Sequence, residues 1–375
     1  MRQLRRIVFV LGLVTFTTVA RGGHELPIYP SYYPHEIELK TRAPREAASA
    51  LREGKIQAYV GPGLGFSGAK PAEIEAIESL GSFITVRVNP QSPLATNQTE
   101  VCAAVGTVMQ AVAAQGDVVM HPYPVTPFHG DYLDHADLAA AAKARLTAQG
   151  APVGDLKIKA SGHLLQSHPE WAASDAAWDV EVAEIDATDL MTAASLTMNG
   201  LTSPPWVRTG WFQAERLLAD AVDDTDRRRR VDTLLARLET GGFTGLVDRI
   251  NLERELVSAL TAGCNKVVVG YTVKREYLNV EFTAGIENIG YDAITGLASP
   301  NFIRTVKLKD FPWNGWLTLG IPDAPEAAWN PIGGMTDRFG RMMGFAVGDP
   351  ALLPSPYDAR WMLNRVADVS AAPGQ

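Results

Sequence analysis

The densest group of potential metal ligands lies between His121 and His135. This stretch carries three of the seven histidines (His121, His129, His135) and two acids, Asp131 and Asp134. Imidazole and carboxylate groups suit zinc, copper, iron or manganese, and three prolines between the first two histidines would stiffen the loop. The stretch therefore predicts a transition-metal site built from these five residues.

A structural role for the same loop stays open. Proline-aromatic-histidine loops often satisfy backbone hydrogen bonds, and Asp134 could cap a helix that begins near His135. The loop follows a short predicted strand, Val118 to Met120, and loops in that position commonly form the sites of open α/β sheets.

A glycine-rich turn offers a second candidate site. It contains a formal GxGxxG pattern from Gly63 to Gly68 after a predicted strand at residues 56–60. A dinucleotide site needs the last glycine inside the following helix and an acid after the next strand; neither is present, so NAD is excluded. Backbone N–H groups of such a turn can hold a small anion, which makes Gly61, Gly63 and Ser67 the candidate ligand-binding residues.

The residues that lead into this turn resemble a known family. Residues 47–62, AASALREGKIQAYVGP, resemble the helix, strand and turn of periplasmic solute-binding proteins of the phosphonate-binding type. The resemblance implies that the turn after the strand helps to line a ligand cleft, and so points to Gly61, Gly63 and Ser67.

The N-terminus is typical of a secretory signal peptide. Basic residues Arg2, Arg5 and Arg6 precede an apolar run and small residues that end at Ala20, which predicts cleavage near Ala20 and a periplasmic or secreted protein. A membrane span needs about 20 apolar residues, so no transmembrane span is expected in the mature chain.

The two cysteines, Cys102 and Cys264, are predicted to form a disulfide. An even pair in an exported protein favours a bond over free thiols, and here it would close a loop of about 160 residues. The CxxCH pattern that attaches haem c is absent.

The pattern of elements predicts an α/β N-terminal domain with a mainly parallel sheet, then a helical segment, then a β-rich, Trp/Pro-rich irregular C-terminal part. The predicted boundaries are 1–20 for the signal peptide, 21–186 for the α/β domain, 187–263 for the helical segment and 264–375 for the C-terminal part. Among the individual predictions are a helix from Pro71 to Leu80, a strand from Phe83 to Val88, and helices over residues 213–222, 228–238 and 246–260. All eight tryptophans lie between Trp171 and Trp361, and they could line a groove or fix the tail to the body.

The composition excludes some classes of partner. The chain is 46% hydrophobic and 20% charged, with 34 basic and 42 acidic residues and a net charge of −8. Nucleic acid is therefore not an expected partner.

Three functions remain as hypotheses. The first is an exported binding or accessory protein that holds a small molecule or ion at the Gly61–Ser67 turn and the His121–His135 loop, which parallel strands would bring to the same edge of the sheet. The second is a metal-dependent enzyme with His121, His129 and His135 as ligands and Asp131 or Asp134 as a further ligand or general base. The third is a structural subunit of an envelope complex, with the tryptophan-rich tail as its docking surface. Whether the chain catalyses a reaction is left open.

Overall fold

The computed structural model describes residues 31–114, 116–147, 155–175, 177–191, 204–309, 315–325, 335, 337–348 and 350–369. The predicted signal peptide lies outside these residues. Within them, no helix is long and apolar enough to cross a membrane.

The β-strands of the described chain follow one another in this order: β1 Ser31–Tyr32, β2 Glu36–Thr41, β3 Ala58–Tyr59, β4 Ile74–Val88, β5 Val118–Met120, β6 Ile158–Ala160, β7 Val180–Asp186, β8 Lys266–Asn279, β9 Ile286–Asn288, β10 Lys307–Lys309, β11 Trp316–Ile321, β12 Leu352–Pro354 and β13 Trp361–Leu363. The α-helices are α1 Pro44–Arg52, α2 Gln98–Ala113, α3 Tyr132–Thr147, α4 Gly162–Ser167, α5 Ala187–Met191, α6 Gly210–Leu218, α7 Thr225–Glu239, α8 Leu246–Leu260, α9 Pro300–Thr305 and α10 Arg338–Val347.

The main sheet has the strand order β2-β11-β3-β8-β4-β7-β6, with β5 paired to β8 beyond the end of β3. Parallel pairs lie toward both edges, namely β2 with β11, β11 with β3, and β6 with β7. The centre is antiparallel, since β8 pairs with β3, β4 and β5, and β4 also pairs with β7. The predicted α/β character is confirmed. The sheet was predicted to be mainly parallel; its parallel pairs lie toward the edges, whereas its centre is antiparallel.

Strand β4 differs most from the sequence prediction. Its first half falls where a helix from Pro71 to Leu80 was predicted, and it continues without a break into the predicted strand from Phe83 to Val88. The pairing with β8 shifts register between Leu80 and Phe83, around Gly81. A Cβ atom on Gly81 would lie 2.6 Å from Thr272 Oγ1, so glycine permits this close approach of the two strands.

The sheet combines strands from both ends of the chain. Strands β8 and β11 belong to the C-terminal part, yet they pair with β2, β3 and β4 from the N-terminal part. The predicted helices of the middle segment are confirmed as α6, α7 and α8, with ends that differ by a few residues. The sheet therefore contains strands from both the predicted α/β domain and the predicted C-terminal part, and the segment boundaries stay predictions.

Helices cover both faces of the sheet. Phe83 and Val268 point to a core shared with α6, α7 and α8, whereas Ile84 and Val267 point to a core shared with α2. The predicted disulfide is confirmed: Cys102 of α2 is bonded to Cys264 in the turn before β8. It joins the first half of the chain to the second inside the α2 core.

Candidate functional site

A cleft of about 390 Å³ opens where the parallel strands β3 and β11 end. It is lined by the turns that follow the two strands and by the start of α10. The lining residues are Pro62, Pro322, Asp323, Ala324, Asp337, Arg338 and Phe339. The carboxyl ends of parallel strands are the usual place for ligand sites in α/β sheets.

The glycine-rich turn contributes one edge of this cleft. Gly61 lies so close to the β11 turn that a Cβ atom would stand 2.8 Å from the Pro322 side chain. Gly63 has a φ of +79°, a left-handed conformation that favours glycine. The carbonyl of Ser67 accepts a hydrogen bond of 3.0 Å from Arg52. Of the three predicted ligand-binding residues, Gly61 therefore adjoins the cleft, and in the described part of the chain neither Gly63 nor Ser67 lines it.

Arg338 is the basic residue of the cleft. It occupies the first position of α10, directly after Asp337, whose carboxylate caps the helix by accepting hydrogen bonds from the amides of Phe339 (3.1 Å) and Gly340 (2.8 Å). The Arg338 guanidinium is 3.6 Å from an Asp186 carboxylate oxygen and 3.4 Å from the Thr188 hydroxyl. These distances are long for hydrogen bonds, so the contacts position Arg338 without occupying its donors fully.

Two buried charges lie near Arg338, on strand β8. The Lys274 ammonium donates a 2.9 Å hydrogen bond to the carbonyl of Thr295 and is 3.8 Å from a Glu276 oxygen. The other Glu276 oxygen accepts a 2.7 Å hydrogen bond from the Leu297 amide. Burial lowers the pKa of Lys274 and raises that of Glu276, and the charge of each partly opposes the shift of the other. Arg338 also acts electrostatically on both groups, so the cleft adjoins a polar interior.

Each of the three histidines predicted as metal ligands has a different polar partner within the protein. The His121 Nε2–H donates a 2.8 Å hydrogen bond to the carbonyl of Val125. In His129, Nδ1 accepts from the Thr126 amide at 2.9 Å, so Nε2–H donates to Gln213 Oε1 at 3.0 Å. The Nδ1 atom of His135 lies 3.0 Å from the Tyr123 hydroxyl. Burial lowers the pKa of all three histidines.

The two acids of the loop bind helices α6 and α8. The carboxylate of Asp131 accepts hydrogen bonds from the amides of Gly210 (3.0 Å) and Trp211 (3.4 Å) at the start of α6. The carbonyl of Asp134 accepts one from Arg254 of α8. Together with the bond from His129 to Gln213, these contacts fasten the helices to the loop, as expected for a structural role.

The described residues contain no group of three or more His, Cys, Asp or Glu side chains that could hold a metal ion. The metal site predicted at His121, His129, Asp131, Asp134 and His135 stays a prediction without geometric support, which elemental analysis of the purified protein would test.

The histidine loop and the glycine-rich turn do not meet at one edge of the sheet. The last residue of β3, Tyr59, is paired with Tyr277 of β8, whereas the last residue of β5, Met120, is paired with Gly270. The two positions on β8 are seven residues apart, roughly 23 Å of strand at about 3.3 Å per residue. The expected convergence of the two loops is therefore wrong, because β3 and β5 follow one another along the same edge of β8.

The alternative of a groove lined by Trp206, Trp211, Trp313 and Trp316 finds no support among the residues that the structure describes. Trp206 and Trp211 stack on each other at 5.8 Å beside the helical core. Trp316 lies on β11, where its indole donates a 3.1 Å hydrogen bond to Glu36. Trp313 lies outside the described residues.

No protein-family model matches the chain, and no curated protein matches it. Among solved structures, it is similar to a substrate-binding protein from Microbacterium hydrocarbonoxydans complexed with 4-hydroxybenzoate hydrazide, with 11% identity and a TM-score of 0.35 over 66% of this chain and 55% of that one. It is also similar to the oligopeptide-binding protein AppA of Bacillus subtilis in complex with a nonapeptide, with 11% identity and a TM-score of 0.36 over 67% and 56%. A third is NikA of Brucella suis in complex with Fe(III)-EDTA, with 12% identity and a TM-score of 0.36 over 68% and 58%.

The chain therefore spans little more than half the length of these similar proteins. At such TM-scores and identities, the likeness decides neither the ligand nor the family of this chain.

Sequence reasoning missed Asp323, Arg338, Lys274 and Glu276. A signal for the first existed, because Pro322-Asp323 directly follows the apolar run of β11. Arg338 follows Asp337, a residue type that favours helix caps, so the helix start was detectable. The charged run from Lys274 to Glu276 resembles a surface strand, and only the fold shows that its first and last members are buried.

The buried Glu253 of α8 is expected to make the stability of the protein depend on pH. It is buried, and burial, with Asp131 and Asp134 adding to it, raises its pKa to about 7. The folded protein therefore keeps this proton up to about pH 7, whereas an unfolded chain loses it near the ordinary value of 4.5. Glu253 therefore destabilises the folded state wherever the unfolded chain has lost this proton. The destabilisation is absent below pH 4.5, grows as the pH rises to about 7 and is complete above pH 7.

Replacing Glu253 with glutamine should remove this effect. At pH 8, we expect E253Q to unfold in urea with a free energy about 3 kcal/mol larger than that of the wild type, and at pH 4 with an equal one. Glu255 on the same helix is half-exposed, with 42% of its side chain accessible, and pairs with Arg230, so E255Q serves as the control and should show no comparable gain. A difference between E253Q and wild type that is the same at both pH values would contradict the assignment.

Proposed function

We propose that the chain is an exported binding protein that holds a small polar ligand in the cleft after β3 and β11. The observation that carries the proposal is the position of this cleft at the ends of two parallel strands, with Asp323 and Arg338 in its lining. A volume of about 390 Å³ lies at the lower end of the range for small-molecule sites, roughly 300–1,000 Å³. The signal-peptide pattern and the disulfide support export to an oxidising compartment.

A finer proposal concerns the type of binding protein. The resemblance of residues 47–62 to the phosphonate-binding type supports a ligand with an anionic group, and Gly61 within that stretch adjoins the cleft. Arg338 is the residue that would bind such a group, because its guanidinium can donate two parallel hydrogen bonds to an oxyanion.

Ligand screening by thermal shift, followed by calorimetry, tests the proposal. The library contains phosphonates, amino acids, carboxylic acids and sugars, together with the ligand types of the similar proteins, namely peptides, a benzoate hydrazide and metal–EDTA complexes. A ligand present at one hundred times its Kd stabilises the folded state by about 2.7 kcal/mol, which is readily measured.

Variants of two arginines locate the site. We expect R338Q to weaken binding of the screened ligand by about tenfold or more, because a charge-assisted hydrogen bond is lost. The matched control is R275Q, since Arg275 is exposed on β8 and pairs with Glu78 at 2.8 Å. Equal affinity of R338Q and R275Q for the ligand would place the site elsewhere. A screen in which no compound of the library binds would count against a binding protein.

A further inference from the structure

The cleft presents two groups of opposite charge. Asp323, in the turn after β11, is exposed, and no hydrogen bond or ion pair to its carboxylate is found within the described chain. Arg338 is half-buried, and its contacts with Asp186 and Thr188 both involve Nη2. Its Nε and Nη1 atoms have no partner among the residues that the structure describes. The cleft therefore offers one acceptor for a cation and one donor for an anion.

The other charge in the lining is already satisfied. Asp337 uses its carboxylate to cap α10, so it is not available to a ligand in the way that Asp323 is. Asp186 balances part of the charge of Arg338 from outside the lining. One carboxylate and one guanidinium thus remain to contact a bound molecule.

Filling the cleft would remove water from both of these groups. A ligand with a single charge would pair with one of them and leave the other desolvated, which costs free energy. An unpaired Asp323 would have no partner among the described residues, and Arg338 would keep only its long contacts with Asp186 and Thr188. A ligand with an ammonium and an oxyanion would pair with both. Sites that hydrogen-bond a polar group reject analogues that lack it for the same reason.

We infer that the cleft selects a small zwitterion, with its protonated amine at Asp323 and its oxyanion at Arg338. This inference rests on the proposed binding function and adds the chemical class of the ligand. The oxyanion is a carboxylate, sulfonate or phosphonate, each of which has two oxygens that can accept parallel hydrogen bonds from a guanidinium.

The probes are the twenty amino acids, glycyl dipeptides, taurine and aminoalkylphosphonates, tested by calorimetry on the mature, disulfide-bonded protein. For each zwitterion that binds, two matched derivatives follow: the N-acetyl form, which lacks the cation, and a form whose oxyanion is neutralised as an amide or ester. We expect each derivative to bind about tenfold or more weakly than the zwitterion, as for loss of one charged hydrogen bond.

Variants assign each charge to its residue. In D323N, the N-acetyl derivative should bind as well as the zwitterion, while the amide or ester is still disfavoured. In R338Q, the amide or ester should bind as well as the zwitterion, while the N-acetyl derivative is still disfavoured. D226N and R275Q alter exposed residues outside the cleft, and they should keep the wild-type preference. Matching thermal unfolding of all four variants without ligand shows that the fold is intact.

These experiments distinguish a wrong ligand class from a wrong binding function. If a singly charged or neutral compound from the functional screen binds and no zwitterion does, the ligand class is overturned while the binding function stands. If zwitterions bind and D323N leaves the discrimination against N-acetyl forms unchanged, the role of Asp323 is overturned. If nothing in either set binds, the proposed function fails and the inference fails with it.

Discussion

Loss of the disulfide between Cys102 and Cys264 is expected to lower the free energy of unfolding by about 2–5 kcal/mol. The two residues are 162 positions apart in sequence, so the bond removes a large share of the conformations of the unfolded chain, worth about 5 kcal/mol in the chain-entropy model. The C102A/C264A variant tests this by urea unfolding. Its unfolded chain should also be more expanded, which should raise the dependence of stability on urea concentration.

The control separates the bond from the side chains. Both cysteines are buried in the core beside α2, so alanine also removes two sulfur atoms from packed positions. Wild-type protein unfolded under strong reductant keeps the sulfur atoms and lacks only the bond. Similar losses in the variant and in the reduced wild type would assign the effect to the disulfide, whereas reduced protein as stable as the oxidised form would refute the prediction.

The sequence predicted best those features that depend on local patterns. The helices α6, α7 and α8 have apolar residues at helical spacing, and they form close to where they were expected. The disulfide followed from the number of cysteines and the export signal. Neither inference needed knowledge of which strands are neighbours.

Features that depend on strand neighbours could not be predicted in the same way. Residues 74–80 of β4 have apolar side chains at positions that suit a helix as well as a strand, and pairing with β8 decides for the strand. The placement of β3 and β5 in tandem along β8 is likewise non-local. It separates two loops that would have converged in a simple parallel sheet.

The candidate site shows the same division. Gly61 was predicted because a strand ends in a glycine-rich turn, and it adjoins the cleft. Asp323 and Arg338 come from segments more than 250 residues later in the chain. The pairing of β11 with β3 brings Asp323 close to Gly61, and α10, which carries Arg338, packs through Phe339 on the core beneath these strands. The histidine loop had the stronger chemical signal, yet its polar groups bind Gln213, the start of α6 and Arg254.

Breaking a buried ion pair is the second change that is expected to lower the stability strongly. Arg208, just before α6, pairs with Asp292 in the loop before α9, and the Asp292 side chain is fully buried. Burial lowers the pKa of Arg208 to about 10, with Asp358 opposing the shift, so the arginine remains charged at neutral pH. The same Asp292 carboxylate accepts hydrogen bonds of 2.8 Å from the amides of Ile294 and Thr295.

The D292N substitution separates the charge from the hydrogen bonds. Asparagine keeps a side-chain oxygen for the two amides, but it leaves the Arg208 charge buried without its partner. We expect a loss of about 3–5 kcal/mol in the free energy of urea unfolding, the usual effect of breaking a buried pair on one side. Adding R208M removes the uncompensated charge, so the double variant should recover most of that loss, since apolar replacement of a buried pair is often neutral.

A double-mutant cycle measures the coupling energy between Arg208 and Asp292 and compares it with that of an exposed pair. Arg230 and Glu255 form an ion pair of 2.9 Å on the exposed surface of α7 and α8, and their coupling energy should not exceed about 1 kcal/mol. For Arg208 and Asp292, the coupling should be several times larger, because neither charge can be solvated by water when the other is removed. Equal coupling energies for the two pairs would mean that water reaches Arg208 in D292N. The loop before α9 would then be held mainly by the hydrogen bonds to Ile294 and Thr295, and D292A, which removes them, should cost more than D292N.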